Sequence, residues 1–325
     1  MAQKIFVGID GGGTYTRVLV TDLNFNVLNY VNYKGSPVPI KDANAAQNMQ
    51  NAMKLAIGEN FLVENVAGFC AGLAGVDFDD DLIWAREIVA PLGLKCEPVI
   101  VNDCIPAHYG AFWQANSENE CKIISDKIVR GAGFCTNPGI IAVGGTGSIV
   151  TAINDSGAAV TNYDFHHYAG PRARDLAYLA VYRLIAGEFN DSDKELKAAI
   201  LNHFNAADVA GLTKLGVSGF ILDDKLRDKF FGELAPEITD AAKCGSAAAK
   251  AVCNIAVDDI VRGINLVAGS FKLSKISVVL MGGVLKDDYI SGLVKSKLKS
   301  DRFVVKEPVF DACMGAVKMA AAGKI

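Results

Sequence analysis

The chain has 325 residues, more than one ordinary core of ~100–200 residues holds, so two domains are expected. Hydrophobic residues make up 51% and the net charge is −4, with no Lys/Arg block beyond an ordinary solvated face, which argues against a nucleic-acid binder. No stretch reaches the ~18 uncharged apolar residues of a membrane span, and the opening MAQKIFVGIDGGGT lacks the apolar core of a signal peptide, so a cytoplasmic protein without membrane contact is expected.

In chain order, residues 4–9, 17–22 and 27–33 read as three strands, turned by the glycines after Asp10 and by the Asn-rich 23–26. Ala46, Met49, Met53 and Ala56 recur at helical spacing and predict a helix over 43–58. A buried strand over 66–71, a helix over 80–90 and a buried strand over 97–102 follow. Strands over 139–143 and 149–153 flank a second glycine-rich turn, and a strand over 276–280 ends in Met281-Gly282-Gly283 before a helix over 290–298. A glycine loop between strands in each half points to an internal duplication. Between the halves lie predicted helices over 173–188, 193–205, 225–250 and 251–269, and a last helix over 313–321 could pack back on the first half. The boundary is expected within 110–119, giving domains 1–115 and 116–325.

The strongest local signal is Asp10-Gly11-Gly12-Gly13-Thr14-Tyr15-Thr16 between two strands. Glycines let backbone N–H groups approach a phosphate without a Cβ in the way, Thr14 and Thr16 add hydroxyls, and Asp10 suits a magnesium ion held through water. It is neither a Walker A loop nor a dinucleotide fingerprint, because no Gly-Lys-Ser/Thr and no helix follows. Gly144-Gly145-Thr146-Gly147-Ser148 repeats the device, and two such loops imply a nucleotide held between two halves. Asp103 ends the strand before Cys104, placed either for acid–base work in a crevice or as a helix cap. Gly282-Gly283 could let an adenine ring lie against backbone, and Arg172 and Arg174 could reach an anionic group or simply face water.

IDGGGTYTRVLVTD, AGLAG at 71–75, VNDC at 101–104, AVGGTGS at 142–148, LMGGV at 280–284 and GAVKMA at 315–320 resemble, in that order, the BadF/BadG/BcrA/BcrD-type ATPase family, which includes N-acetylglucosamine and glucosamine kinases. The resemblance implies an α/β fold of two ribonuclease-H-like, actin-like ATPase domains with ATP and sugar in the interdomain cleft. It implies that Asp10 is associated with Mg2+, that Gly11 to Thr16 and Gly145 to Ser148 hold the phosphates, and that Asp103 is the general base. Gly282 and Gly283 would take the adenosine, and Thr146, Gly147 and Ser148 would also lie near the sugar.

Two departures stand out. The loop Gly35-Ser36-Pro37-Val38-Pro39 lacks the family's sugar-binding Asn, leaving Ser36 as the nearest hydroxyl, and Gly170-Pro171-Arg172-Ala173-Arg174 replaces a Gly-Asp-Glu-Gly-Ser run, reversing the local charge. An arginine pair suits a carboxylate, so an anionic amino sugar such as N-acetylmuramic acid is an expected acceptor alongside N-acetylglucosamine and glucosamine. The expected activity is an ATP-dependent hexosamine kinase working as a homodimer. The alternatives are an ATPase activator coupling hydrolysis to electron transfer, and a non-catalytic nucleotide or sugar sensor. The activator needs interface cysteines; Cys70, Cys96, Cys104, Cys121, Cys135, Cys244, Cys253 and Cys313 form no CxxC pair and read as reduced structural residues.

Overall fold

The computed structural model describes residues 3–35, 44–58, 62–114, 122–123, 135–168, 170–298 and 300–322. Two five-stranded sheets share one plan, as the expected fold class requires. In the first, β1 (Ile5–Gly11), β2 (Tyr15–Asp22) and β3 (Val27–Lys34) form an antiparallel meander. β4 (Val66–Leu73) and β5 (Pro98–Asn102) extend it in parallel, giving the order β3-β2-β1-β4-β5. A short ribbon of β6 (Lys122–Ile123) and β7 (Cys135–Thr136) comes next in the chain. The second sheet repeats the plan with β8 (Gly139–Gly144), β9 (Ser148–Ile153), β10 (Ala159–Thr161), β11 (Ile276–Met281) and β12 (Phe303–Lys306), in the order β10-β9-β8-β11-β12.

The central strands β1 and β4 are buried on both faces, which is why they read as unbroken apolar runs rather than alternating ones. Ile5, Val7 and Ile9 point to α1 (Ala45–Ile57) and α2 (Asp81–Val89), meeting Met49, Met53, Leu82 and Ala85. The other face carries Phe6 and Cys70 and receives α3 (Cys104–Ala111) and the last helix, described below. The second sheet divides in the same way. Ile140, Ala142, Val278 and Leu280 join a large helical core, while Ile141, Val279 and Met281 pack on Ala107 and Ala111 of α3 and on Phe112 just after it.

That helical core holds α4 (Ala173–Ile185), α5 (Lys194–His203), α6 (Val209–Val217), α7 (Asp224–Gly232), α8 (Ala235–Lys243), α9 (Ala247–Ala268) and α10 (Asp288–Lys297). The single helix expected over 225–250 is corrected to α7, α8 and the first turn of α9. Pro236 sits in the first turn of α8, where its missing N–H costs nothing but where it cannot continue α7. Gly245 then takes a φ of +109°, open to glycine alone, and the Ser246 hydroxyl accepts the Ala249 N–H at 3.1 Å to start α9. Strands β10 and β12 and helix α6 were not expected from the sequence.

The last helix, α11 (Ala312–Ala322), lies on β1 and β4 and against α3. Glycine permits the contact: a Cβ on Gly8 would stand 2.5 Å from the Cys313 carbonyl oxygen, and one on Gly68 would stand 2.3 Å from that of Ala320. Helices α3 and α11 are therefore the layer between the two sheets. Lys318 of α11 is buried there with its Nζ 3.3 Å from the Phe25 ring centroid and 4.4 Å from that of Trp113.

Candidate active site

The carboxyl ends of β1, β4, β5, β8 and β11 open on one cleft, the place where parallel α/β sheets leave room for a ligand. The hairpin between β1 and β2 brings Gly11–Thr14 to it, and the hairpin between β8 and β9 brings Gly145–Gly147 from the opposite side. Their threonines meet: Thr14 Oγ1 and Thr146 Oγ1 are 3.1 Å apart. A Cβ built on Gly13, Gly147 or Gly283 would meet nothing within 4 Å, so three backbone surfaces stand open where a phosphate or a flat ring can approach. Thr16 departs from expectation. It is fully buried in β2, and Thr14 alone presents a hydroxyl on the first loop.

Gly282 and Gly283 adjoin the second loop. Gly282 has a φ of +84°, and a Cβ there would lie 2.4 Å from the Gly144 carbonyl oxygen. The Val284 N–H donates to that same oxygen at 2.9 Å. The start of α4 braces the loop from another side, with the Ala173 N–H donating to the Gly145 carbonyl at 2.8 Å.

Asp103 stands at the head of α3 without capping it. Asn102 does that work: its side-chain oxygen accepts the Cys104 N–H at 2.9 Å, and its Nδ2 donates to Asp77 Oδ1 at 2.8 Å. Burial and the nearby carboxylates of Asp10 and Asp77 push the Asp103 pKa up to about 7, outweighing hydrogen bonding to Cys104, which lowers it. A carboxyl poised near neutrality can accept a proton and release it again, as a general base requires. The Asn102–Asp77 pair was not singled out in the sequence, because nothing in VNDC says which of two adjacent polar residues caps the helix.

Asp10 is not bare. Arg17, its register partner on β2, donates from Nη1 to Asp10 Oδ2 at 2.9 Å. Burial raises the Asp10 pKa, and Arg17 pulls against it. Among the described residues no group of three or more His, Cys, Asp or Glu is placed to hold a metal. The Asp10 carboxylate is thus already paired with Arg17.

The arginine pair is corrected in its charge. Arg172 Nε donates to Asp175 Oδ2 at 2.8 Å, and Arg174 pairs with Asp228 of α7, so the stretch carries no unmatched positive charge. Arg174 lines a shallow cavity of about 420 Å³ with Tyr178, Tyr182 and Arg227, on the helical side rather than at the glycine loops. Ser36 lies outside the described residues.

With the geometry in hand, the chain can be set beside known proteins. No protein-family model matches it. In sequence it is similar to the N-acetylmuramic acid/N-acetylglucosamine kinase of Clostridium acetobutylicum, 23% identical over 296 residues that span 88% of this chain and 87% of that one. In structure it is similar to a candidate N-acetylglucosamine kinase from Chromobacterium violaceum, with a TM-score of 0.69, 18% identity, and 98% and 100% of the two chains covered. A ROK family glucokinase from Streptomyces griseus, solved with glucose and AMPPNP, gives a TM-score of 0.58 at 17% identity, over 98% of each chain. The two paired five-stranded sheets are a fold that this chain shares with both of these kinases. Two of these three likenesses are to proteins named as N-acetylglucosamine kinases, the kind of protein that the sequence motifs resemble.

Proposed function

We propose that this chain is an ATP-dependent amino-sugar kinase, transferring the γ-phosphoryl group of ATP to a hydroxyl of N-acetylglucosamine, glucosamine or N-acetylmuramic acid. The observation that carries the reading is two open glycine loops whose threonines meet at 3.1 Å, with Asp103, at the carboxyl end of β5, near enough to Asp10 of the first loop for their charges to act on each other. Backbone N–H groups of Gly11–Thr14 and Gly145–Gly147 receive the phosphates, with Thr14 and Thr146 adding hydroxyls, and the open faces of Gly282-Gly283 receive the adenosine. Magnesium, entering with ATP near Asp10, would neutralise charge on the phosphates. Asp103 takes the proton of the acceptor hydroxyl as its oxygen bonds to the γ-phosphorus and ADP leaves. Phosphoryl transfer is mainly positioning and charge stabilisation, so one such carboxylate is sufficient acid–base chemistry.

A homodimer in the cytoplasm, with domains divided at residues 115/116, completes the proposal. Support for the division is that α3 ends at Ala111 and the second sheet starts at Gly139. The electron-transfer alternative draws little from the cysteines. Among the described cysteines, Cys70, Cys104, Cys253 and Cys313 are buried, Cys96 is half-buried and Cys244 is exposed, and burial lifts the Cys253 thiol to about 12, far from the thiolates that a shared cluster needs.

The test is ADP release measured over a panel of hexoses and hexosamines. Acceptor-dependent release with an amino sugar preferred is the expected result. ATP binding without turnover on any sugar, or hydrolysis indifferent to the sugar, would sink the reading.

A further inference from the structure

The stretch between β10 and α4 carries a feature that phosphate transfer does not use. A reciprocal cap sets its shape: the Thr161 hydroxyl accepts the Asp164 N–H at 3.3 Å, and the Asp164 carboxylate accepts the Thr161 N–H at 2.9 Å. Asn162 is buried beneath this turn, accepting the Val150 N–H at 2.9 Å and donating to the His167 carbonyl at 2.7 Å. With its neighbour pinned inward, Tyr163 projects outward. Its hydroxyl donates to the Ser148 carbonyl at 2.7 Å, so the ring hangs from the end of the second glycine loop.

Tyr168 supports it from behind, with ring centroids 5.3 Å apart, and His166 Nδ1 lies 3.3 Å from the Tyr168 hydroxyl. Both rings stay open, Tyr163 at 41% and Tyr168 at 60% exposure. One exposed tyrosine needs no explanation. Two in contact, one tethered to a catalytic loop, are a fixed surface. Tyr163 also lies close enough to Asp103, Asp77 and Arg172 for their charges to act on its phenol. These come from the end of β5, the approach to α2 and the start of α4, and the bond to Ser148 holds the ring beside the second glycine loop. A pyranose ring has C–H faces that pack on an aromatic surface while its hydroxyls reach the polar groups around it, the usual division of labour in a small-molecule site.

We propose that Tyr163, backed by Tyr168, is the platform on which the ring face of the acceptor sugar packs, holding the reacting hydroxyl toward Asp103. This inference rests on the amino-sugar kinase reading. Tyr163→Ala, Tyr163→Phe and Tyr168→Ala should be compared with wild type for the KM of sugar and of ATP, and for sugar binding by calorimetry without nucleotide. Tyr163→Ala is expected to raise the sugar KM by about tenfold or more and leave the ATP KM within about twofold, and Tyr168→Ala to act in the same direction more weakly. Tyr163→Phe should keep the sugar KM within about threefold, because the ring face remains when the tether to Ser148 is lost.

A ring that merely braces the glycine loop would raise both KM values together and make Phe as damaging as Ala, which would overturn the proposal. Should the wild type phosphorylate no hexosamine, the kinase reading fails separately and calorimetry decides the platform. Sugar heat lost in Tyr163→Ala upholds it, and the same titration in both proteins, including no heat in either, overturns it.

Discussion

Asp103 is where chemistry and stability pull apart. An unfolded aspartate releases its proton near pH 4, whereas the folded chain holds this one to about 7, so ionising it costs folding stability as the pH climbs through that window. Asp103→Asn should therefore lower turnover by about 10²–10⁴ and yet melt at a higher temperature than wild type at pH 8. A residue that merely capped α3 would melt lower. For wild type, kcat/KM for the sugar should rise through an apparent pKa near 7, and Asp77→Asn should move that limb to lower pH by removing a nearby negative charge. A limb unmoved by Asp77→Asn would contradict the coupling. His108 runs the other way. It is enclosed between the Gly139 carbonyl at 3.1 Å and Thr136 Oγ1 at 3.3 Å, and burial lowers its pKa to about 4. The unfolded chain binds its proton below ~6.5, so stability should fall between pH 6.5 and 4 by on the order of 3 kcal/mol, and His108→Gln should flatten that slope in urea titrations. The aspartate could be singled out from its place after a buried strand. Its raised pKa could not, because that depends on burial and on Asp10 and Asp77, which only the tertiary fold brings near it.

At the scale of elements, strands buried on both faces announced themselves, and half-exposed ones did not. Residues 303–306 alternate between partly covered and exposed positions beside charged neighbours, so β12 looks like surface until β11 pairs with it. The long Ala- and Lys-rich region kept its helical period through 225–250, and only Pro236 and Gly245 marked the breaks. Glycine packing was equally hidden. Gly8 reads as a weak point in a strand, whereas it is the seat of α11. Gly8→Ala drives a methyl group into backbone that cannot yield as a side chain would, and should cost at least about 1–3 kcal/mol in chemical denaturation. Gly13→Ala is its counterpart. The site is open and the backbone conformation ordinary, so the melting temperature should hold while ATP affinity falls. Equal ATP affinity in calorimetry would make the first loop no more than a turn.

For the whole molecule, the duplicated order of strands was visible because each half spends a glycine loop at the same topological point. The arginines at 172 and 174 misled, since the aspartates that neutralise them include one, Asp228, on a helix far along the chain. Asp10 already has Arg17 as a counter-ion, so its burial needs no magnesium to balance the charge. Chelation should stop turnover without lowering the melting temperature, and a melt that drops with EDTA would refute this. The position of α11 carries a consequence for how the protein is made. A ribosome releases β1 to β5 early, but one face of that sheet is sealed by the helix at Ala312–Ala322. At about 5–20 residues per second, the nascent sheet waits on the order of ten seconds or more with Phe6, Cys70 and their neighbours bare. The first half is translated first and finished last: its sheet cannot be closed until Ala312–Ala322 has been made, and its apolar flank stands uncovered during that interval.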